Sequence, residues 1–375
     1  MIRNMKVSFF STRSQKERFL VLDLSNASFD SALGEKGSDE KLRMLSLERR
    51  EVATLSFERT LEYLYLEIQK FQPHKIIFSF PSPMLKAKFV TQVFRPTNPK
   101  IPIQRREKEF IEKTVLKGAL QEMRASLSAD SGILPEDFVR VDLSVKEIKV
   151  DGYVVSSLEG LKGSRIEFMF LGIFLLRSYG TILQRFTQKY RIRTFKILHP
   201  AQAVENFAQK TQKGGLYLDI EDETSQIFAI RDGRLSFASS IPMGGDHFTE
   251  IFVESLGMKK NIAREFQEKY FRGMISEELR TKLKALLLPA VKNFATLVKK
   301  QLRDIEGVFS PRIFMFGRGS FLKEIHEIFE GDDLKNLPFS RVPEVSFLYP
   351  KDVRSIDTPH KTNPQYTLLF LLIPE

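Results

Sequence analysis

The sequence predicts an α/β protein built from two related lobes with a cleft between them. Residues 18–37 with the strand after them, and residues 215–242, each read as strand, aspartate, turn, strand, turn and strand, and Asp23 and Asp219 occupy the same place in the two segments. Helices and a further buried strand follow each segment, which indicates a duplicated unit. A third segment, residues 312–329, reads as a buried strand, a Gly-x-Gly-Ser turn and an amphipathic helix.

The elements of the first lobe follow in order along the chain. The apolar residues 20–22 predict a strand, residues 25–28 (Ser-Asn-Ala-Ser) a turn, residues 29–33 a second strand, and residues 34–37 (Gly-Glu-Lys-Gly) a turn into a third. Residues 55–71 have helical periodicity that ends before Pro73, and residues 75–80 predict a buried strand.

The second meander carries an unusual turn. Glu221, Asp222 and Glu223 follow the strand that holds Asp219, so four carboxylates crowd the tip of a hairpin. One interpretation of this turn is a divalent-cation site, although the spacing of the carboxylates is not that of an EF-hand. A plain solvated turn is another.

Composition narrows the function classes. The chain has 375 residues, enough for two or three domains, and no cysteine, which excludes disulfides, Cys-ligated zinc, iron–sulfur clusters and a thiol nucleophile. Five scattered histidines form no metal-binding pair, so we expect no metal site. The net charge of +11 favours acidic partners, but no nucleic-acid motif accompanies it. Neither a signal peptide nor a membrane-length apolar run is evident, so we expect a cytoplasmic protein. An alternative is that partners or a missing C-terminal helix hold it at the inner face of the membrane.

A longer stretch carries a more specific resemblance. The two Asp-led hairpins and the strand–GxG–helix resemble the phosphate-1, phosphate-2 and adenosine motifs of the actin-like ATPase superfamily. Residues 239–270, "SSIPMGGDHFTEIFVESLGMKKNIAREFQEKY", resemble the cell-division protein FtsA and its pilus-assembly relative PilM, with Asp246 as a candidate helix cap. Residues 100–120 and 145–174 resemble the inserted 1C (SHS2) subdomain.

The resemblance implies an actin-like two-lobed fold, two RNase H-like domains with an inserted 1C-type subdomain. The implied domains are 1A (residues 1–84 and 170–212), 1C (85–169), 2A (213–250 and 310–375) and 2B (251–309).

The resemblance also implies a nucleotide site, which this sequence alters. Ser25 and the acidic residues 221–223 stand where the superfamily has glycines, and a carboxylate ~5 Å from a phosphate repels it by about 3 kcal/mol. We therefore expect a vestigial site and a pseudo-ATPase with no catalytic residue, and no ATP or Mg²⁺ unless the altered site still functions. The matching positions are Asp23, Ser25, Asp219, Gly244, Gly245, Gly317, Gly319 and Ser320.

The expected function is an FtsA-like scaffold of cell division that links FtsZ-type or envelope partners near the membrane. The alternatives are an active polymerising ATPase, or a PilM-like adaptor of type IV pilus or secretion assembly that holds a membrane protein's cytoplasmic tail against 1C. Self-association into filaments is a further expectation. In FtsA, 2B receives the acidic, apolar FtsZ tail, so we expect contacts from a basic set formed by Lys292, Lys299, Lys300 and Arg303.

Overall fold

The described residues form three β-sheets. A computed structural model describes residues 17–24, 28–37, 41–51, 56–192, 194–303, 305, 307–331, 337, 339–356 and 363–373. The strands are β1 (Glu17–Leu24), β2 (Ser28–Lys36), β3 (Leu42–Glu51), β4 (Lys75–Ser79), β5 (Leu85–Phe94), β6 (Phe138–Val150), β7 (Tyr153–Val154), β8 (Ile166–Leu176), β9 (Phe195–Ile197), β10 (Gly215–Ile220), β11 (Ser225–Arg231), β12 (Arg234–Ile241), β13 (Arg312–Phe316) and β14 (Glu344–Phe347).

Helices cover the sheets. They are α1 (Phe57–Phe71), α2 (Arg105–Ser131), α3 (Arg177–Lys189), α4 (Pro200–Thr211), α5 (Gly245–Leu256), α6 (Lys260–Phe271), α7 (Glu277–Leu302), α8 (Lys323–Glu330), α9 (Pro350–Val353) and α10 (Thr367–Leu372). Helix α1 begins at the Ser56 cap, whose side chain accepts from the Arg59 amide, and ends before Pro73, as its periodicity predicts.

Two of the sheets share one topology. The orders are β3-β2-β1-β4-β9 and β12-β11-β10-β13-β14, and each begins as an antiparallel meander and continues in parallel strands. The duplicated unit predicted from the two Asp-led hairpins is therefore confirmed.

One predicted turn is wrong. Gly34 lies inside β2, which runs on to Lys36, and the register with β3 shifts between Leu33 and Gly34. A Cβ atom at Gly34 would lie 2.2 Å from the ring of Phe19, so the glycine makes room for an aromatic side chain.

The third sheet, β5-β8-β6-β7, is antiparallel, and α2 packs on it through a buried stripe that includes Ile111, Val115 and Met123. The predicted division between residues 169 and 170 falls within β8, and the domain boundaries stay a prediction.

Helix α10 packs in the first lobe, although it follows the last strand of the second sheet in the chain. All six of its residues are buried, and it packs on α4, β1 and β2 in the core of the first lobe. Residues of the second sheet, such as Tyr217 and Phe228, join the same core, so the two lobes share apolar packing.

Candidate functional site

The two leading aspartates lie at equivalent places. Asp23 and Asp219 are the penultimate residues of β1 and β10, the first strands of the two meanders, and each stands beside the last residue of a parallel neighbour, Ser79 or Phe316. Carboxyl ends of parallel strands line the cleft of such folds. Ser25 lies outside the described residues.

The acidic turn is only partly solvated: Glu223 is exposed, whereas the side chain of Asp222 is 16% exposed. Asp222 forms ion pairs with Arg49 of β3, in the first lobe, and with Arg318, whose Nη1 lies 3.2 Å from Oδ1. Arg49 also pairs with Asp30 at 2.9 Å and donates to the Ser28 hydroxyl at 2.8 Å. These residues form an interlobe ion-pair cluster.

Electrostatics explains the charges in this cluster. Burial alone would raise the pKa of Asp222, but Arg49 and Arg318 outweigh it, and the pKa lies below its usual value. Burial would lower the pKa of Arg49, but the surrounding carboxylates raise it. Asp222 and Arg49 are therefore both ionised near neutral pH.

At three other acidic residues of the cleft, Asp219, Asp23 and Glu221, burial outweighs the favourable contacts with neighbouring groups. Asp219 is 0% exposed, and neither of its oxygens has a hydrogen-bond partner among the described residues. Burial, together with the charge of Asp23, raises its pKa to about 8. Burial and the charge of Asp30 raise the pKa of Asp23 to about 7, and burial also raises the pKa of Glu221.

The backbone of the acidic turn covers the amino end of α5. The amide of Gly245 donates to the Glu221 carbonyl and the amide of Asp246 to the Asp222 carbonyl, both at 2.7 Å. A Cβ atom at Gly244 would lie 2.4 Å from the Glu221 carbonyl oxygen, so this glycine permits the close approach of the turn.

The Gly-x-Gly-Ser segment meets the same turn from the other side. Gly317 has φ +86°, and a Cβ atom there would lie 2.5 Å from the Ile220 carbonyl oxygen. A Cβ atom at Gly319 would meet the Ile220 side chain, and the buried Ser320 hydroxyl donates to the Gly317 carbonyl at 2.7 Å. The glycines that match nucleotide motifs here contact the protein's own chain.

Asp246 does not cap α5. Gly244 is the N-cap residue, and Asp246 lies in the first turn, where it pairs with Arg264 at 3.0 Å and with Lys260 at 3.2 Å. Its carboxylate still complements the positive end of the helix.

Little space lies between the lobes at this point. The cavity beside Asp23, Arg49 and the acidic turn measures about 30 Å³. A neighbouring cavity of about 120 Å³ is lined by Arg264, Arg318 and Phe321, among others. Small-molecule pockets usually measure roughly 300–1,000 Å³.

The four basic residues predicted to contact a partner's tail, here called the α7 cluster, lie on α7 or at its carboxyl end and not in the cleft. Lys292, Lys300 and Arg303 are exposed and Lys299 is half-buried. The apolar side of α7, including Leu287, is buried in a core that it forms with the second sheet, α5 and α8. It therefore packs internally and offers no groove to a peptide.

A larger groove, which sequence reasoning did not assign to residues, runs between the third sheet and the first. The β6–β9 groove measures about 670 Å³ and is lined in part by Val139, Val141, Leu175, Leu183, Phe195 and Ile197. Sequence reasoning also missed Arg49, whose only signal is its place opposite Asp30 on the neighbouring strand.

Metal and membrane features are not evident in the described part of the chain. Its histidine and acidic side chains form no group of three placed to hold a metal ion. No helix among those residues is long and apolar enough to cross a membrane.

Comparison with solved structures identifies the fold. No protein-family model and no curated protein sequence matches the chain. A solved PilM–PilN type IV pilus biogenesis complex is 14% identical with a TM-score of 0.63, and the match covers 94% of this chain and 96% of that one. A Bacteroides thetaiotaomicron protein with an actin-like ATPase fold and unknown function is 12% identical (TM-score 0.46, 96% and 97% covered). ADP-bound MreB5 of Spiroplasma citri is also 12% identical (TM-score 0.46, 95% and 94% covered). The chain has the two-lobed fold of the actin-like ATPases.

Proposed function

We propose that this protein is an actin-fold adaptor that docks a segment of a partner protein and uses no nucleotide to do so. The observation that carries the proposal is the interlobe ion-pair cluster, in which Arg49 and Arg318 both hold Asp222. This cluster stands where the resemblance places the second phosphate hairpin.

A phosphate entering this cleft meets three obstacles. It would have to displace Asp222 from two arginines that are only 14% and 20% exposed. It would then face Glu221 and the two leading aspartates, whose ionisation the site already disfavours. Backbone amides at the amino end of a helix can bind an anion. At the amino end of α5, however, the amides of Gly245 and Asp246 already donate to carbonyl groups of the acidic turn.

The β6–β9 groove is the better docking surface. Its walls combine apolar side chains with polar and charged ones, and some of the apolar side chains are exposed, as at Val139 (38%) and Phe195 (39%). Polar contacts fix β6 against α4: Gln202 donates to Asp142 at 2.7 Å, and Lys146 pairs with Glu205. The groove is therefore a formed surface, which lowers the entropic cost of binding an extended segment.

The PilM–PilN structure is a complex of two assembly proteins, and this chain shares its fold over nearly the full length. On that analogy the partner is the cytoplasmic tail of a membrane protein. A cell-division scaffold that receives an FtsZ-type tail on α7 is the alternative, but with the apolar side of that helix buried, only its cationic side chains face such a tail.

Capture of tail peptides tests this function. Immobilised PilN-type N-terminal and FtsZ-type C-terminal peptides are offered to the wild type, to Val139→Arg in the groove and to Val145→Arg, a control exposed on the same strand outside it. We expect retention on the PilN-type peptide that Val139→Arg abolishes, that Val145→Arg leaves intact, and that Mg-ATP does not change. Retention that requires Mg-ATP, or that ignores Val139→Arg, contradicts the proposal.

A further inference from the structure

Strand β9 leaves one edge of the first sheet open. It is the last strand in the order β3-β2-β1-β4-β9, and it pairs with β4 alone among the described residues. The Ile76 amide donates to the Thr194 carbonyl at 3.2 Å, and the Leu198 amide donates to the Phe78 carbonyl at 2.9 Å. Because backbone groups alternate along a strand, Phe195 and Ile197 direct their N–H and C=O groups away from β4.

A cavity lies on each side of this edge. The side chains of Phe195 and Ile197 line the β6–β9 groove. Leu198 lines a second cavity of about 690 Å³, between the first sheet, α4 and α10, and Lys196 reaches both cavities. The division follows the alternation of side chains across a strand.

The second cavity, here called the basic cavity, has a distinct chemistry. Its floor is apolar, with Ile77, Phe207 and Leu372 buried. Lys75, Lys196, Lys210 and Arg354 line it, and no carboxylate lies among the described residues of its wall. A ligand that places anionic groups beside Lys75 and Lys196 gains favourable electrostatics there.

We propose that the docked segment adds to β9 as an extra strand, with apolar side chains in the β6–β9 groove and acidic side chains in the basic cavity. The inference rests on the proposed function and names the chemistry of its partner: an extended segment in which apolar and acidic residues alternate. Added strands draw affinity from main-chain hydrogen bonds and specificity from pockets for alternate side chains.

Hydrogen–deuterium exchange with a probe peptide tests the pairing. The probe is a fluorescein-labelled heptapeptide of alternating leucine and aspartate, and its matched control has the same composition with the aspartates adjacent. We expect the alternating peptide to slow exchange of the Phe195 and Ile197 amides at least tenfold. The Lys196 amide, which already faces β4, should change little.

Charge variants test the basic cavity. Lys75→Glu should weaken binding of the alternating peptide about fivefold to tenfold, whereas Lys323→Glu, an exposed site on α8, should leave it unchanged. Equal affinity for the two peptides, no saturable binding at millimolar peptide, or unprotected Phe195 and Ile197 amides overturns strand addition. Tail capture that still depends on Val139 would then leave the adaptor function standing, so the two failures are distinguishable.

Discussion

Replacing Arg49 by methionine should weaken the native state more than the loss of a surface charge does. Arg49 is 14% exposed and pairs with Asp30 and Asp222, whose side chains are 12% and 16% exposed. Removing one partner of a buried ion pair costs about 3–5 kcal/mol because the other charge stays buried. Asp222 keeps Arg318, and Asp30, whose pKa burial raises to about 6, takes up a proton more readily, so we expect the lower end, about 3 kcal/mol.

Urea unfolding near neutral pH measures this loss. The matched control is Arg341→Met, which removes a pair with Glu344 whose partners are 69% and 71% exposed, and it should cost less than about 1 kcal/mol. A double-mutant cycle with Asp222→Asn isolates the contact between the lobes. If Arg49→Met costs no more than Arg341→Met, the ion-pair cluster does not hold the lobes together and does not keep a phosphate out of the cleft.

Two further predictions concern the cleft, and a third concerns the α7 cluster. Gly244→Ala forces a methyl group against the acidic turn and should lower the free energy of unfolding by at least about 2 kcal/mol. The control, Gly180→Ala, is a helix site with ordinary contacts and should raise the free energy of unfolding by up to about 1 kcal/mol. Urea unfolding measures both changes. Because the native pKa of Asp219 is raised from 3.8 to about 8, the native state holds a proton that the unfolded chain loses, and stability falls as pH rises through that window. Asp219→Asn should therefore be more stable than the wild type at pH 8, by up to about 5 kcal/mol, and should match it to within about 1 kcal/mol at pH 4. A difference that stays constant across a pH series would refute this. Reversing all four charges of the α7 cluster should leave folding and capture of the PilN-type peptide intact, and loss of capture would move docking to α7.

The sequence predicts the fold well because the duplicated meander leaves local signals. Apolar runs end at Asp23 and Asp219, and turn residues follow each. Those positions occur at the same point of two sheets with one strand order. The turn predicted at Gly34 is wrong because a glycine in a strand, packed under an aromatic ring, has the same local signal as a turn glycine.

The environment of the acidic turn has no comparable local signal. Arg49 and Asp222 are 173 residues apart in the chain, and only the closing of the two lobes brings them together. A cluster of carboxylates in a turn is typical of a solvated loop, and the packing of Asp222 against two arginines depends on tertiary structure. The β6–β9 groove is likewise formed by residues 139–142 together with residues between 175 and 202, which are more than 30 residues further along the chain, so no single motif marks it.

Isothermal titration calorimetry of the wild-type protein with Mg-ATP tests most directly the central claim that the cleft binds no nucleotide. A micromolar site corresponds to about 8 kcal/mol of binding free energy, and a site that loses several kcal/mol gives no saturable heat at ligand concentrations near ~100 μM. We predict no saturable heat and, in a parallel melt, no rise in melting temperature, because a ligand stabilises only the state it binds. Saturable micromolar binding that disappears in Asp219→Ala would contradict the account.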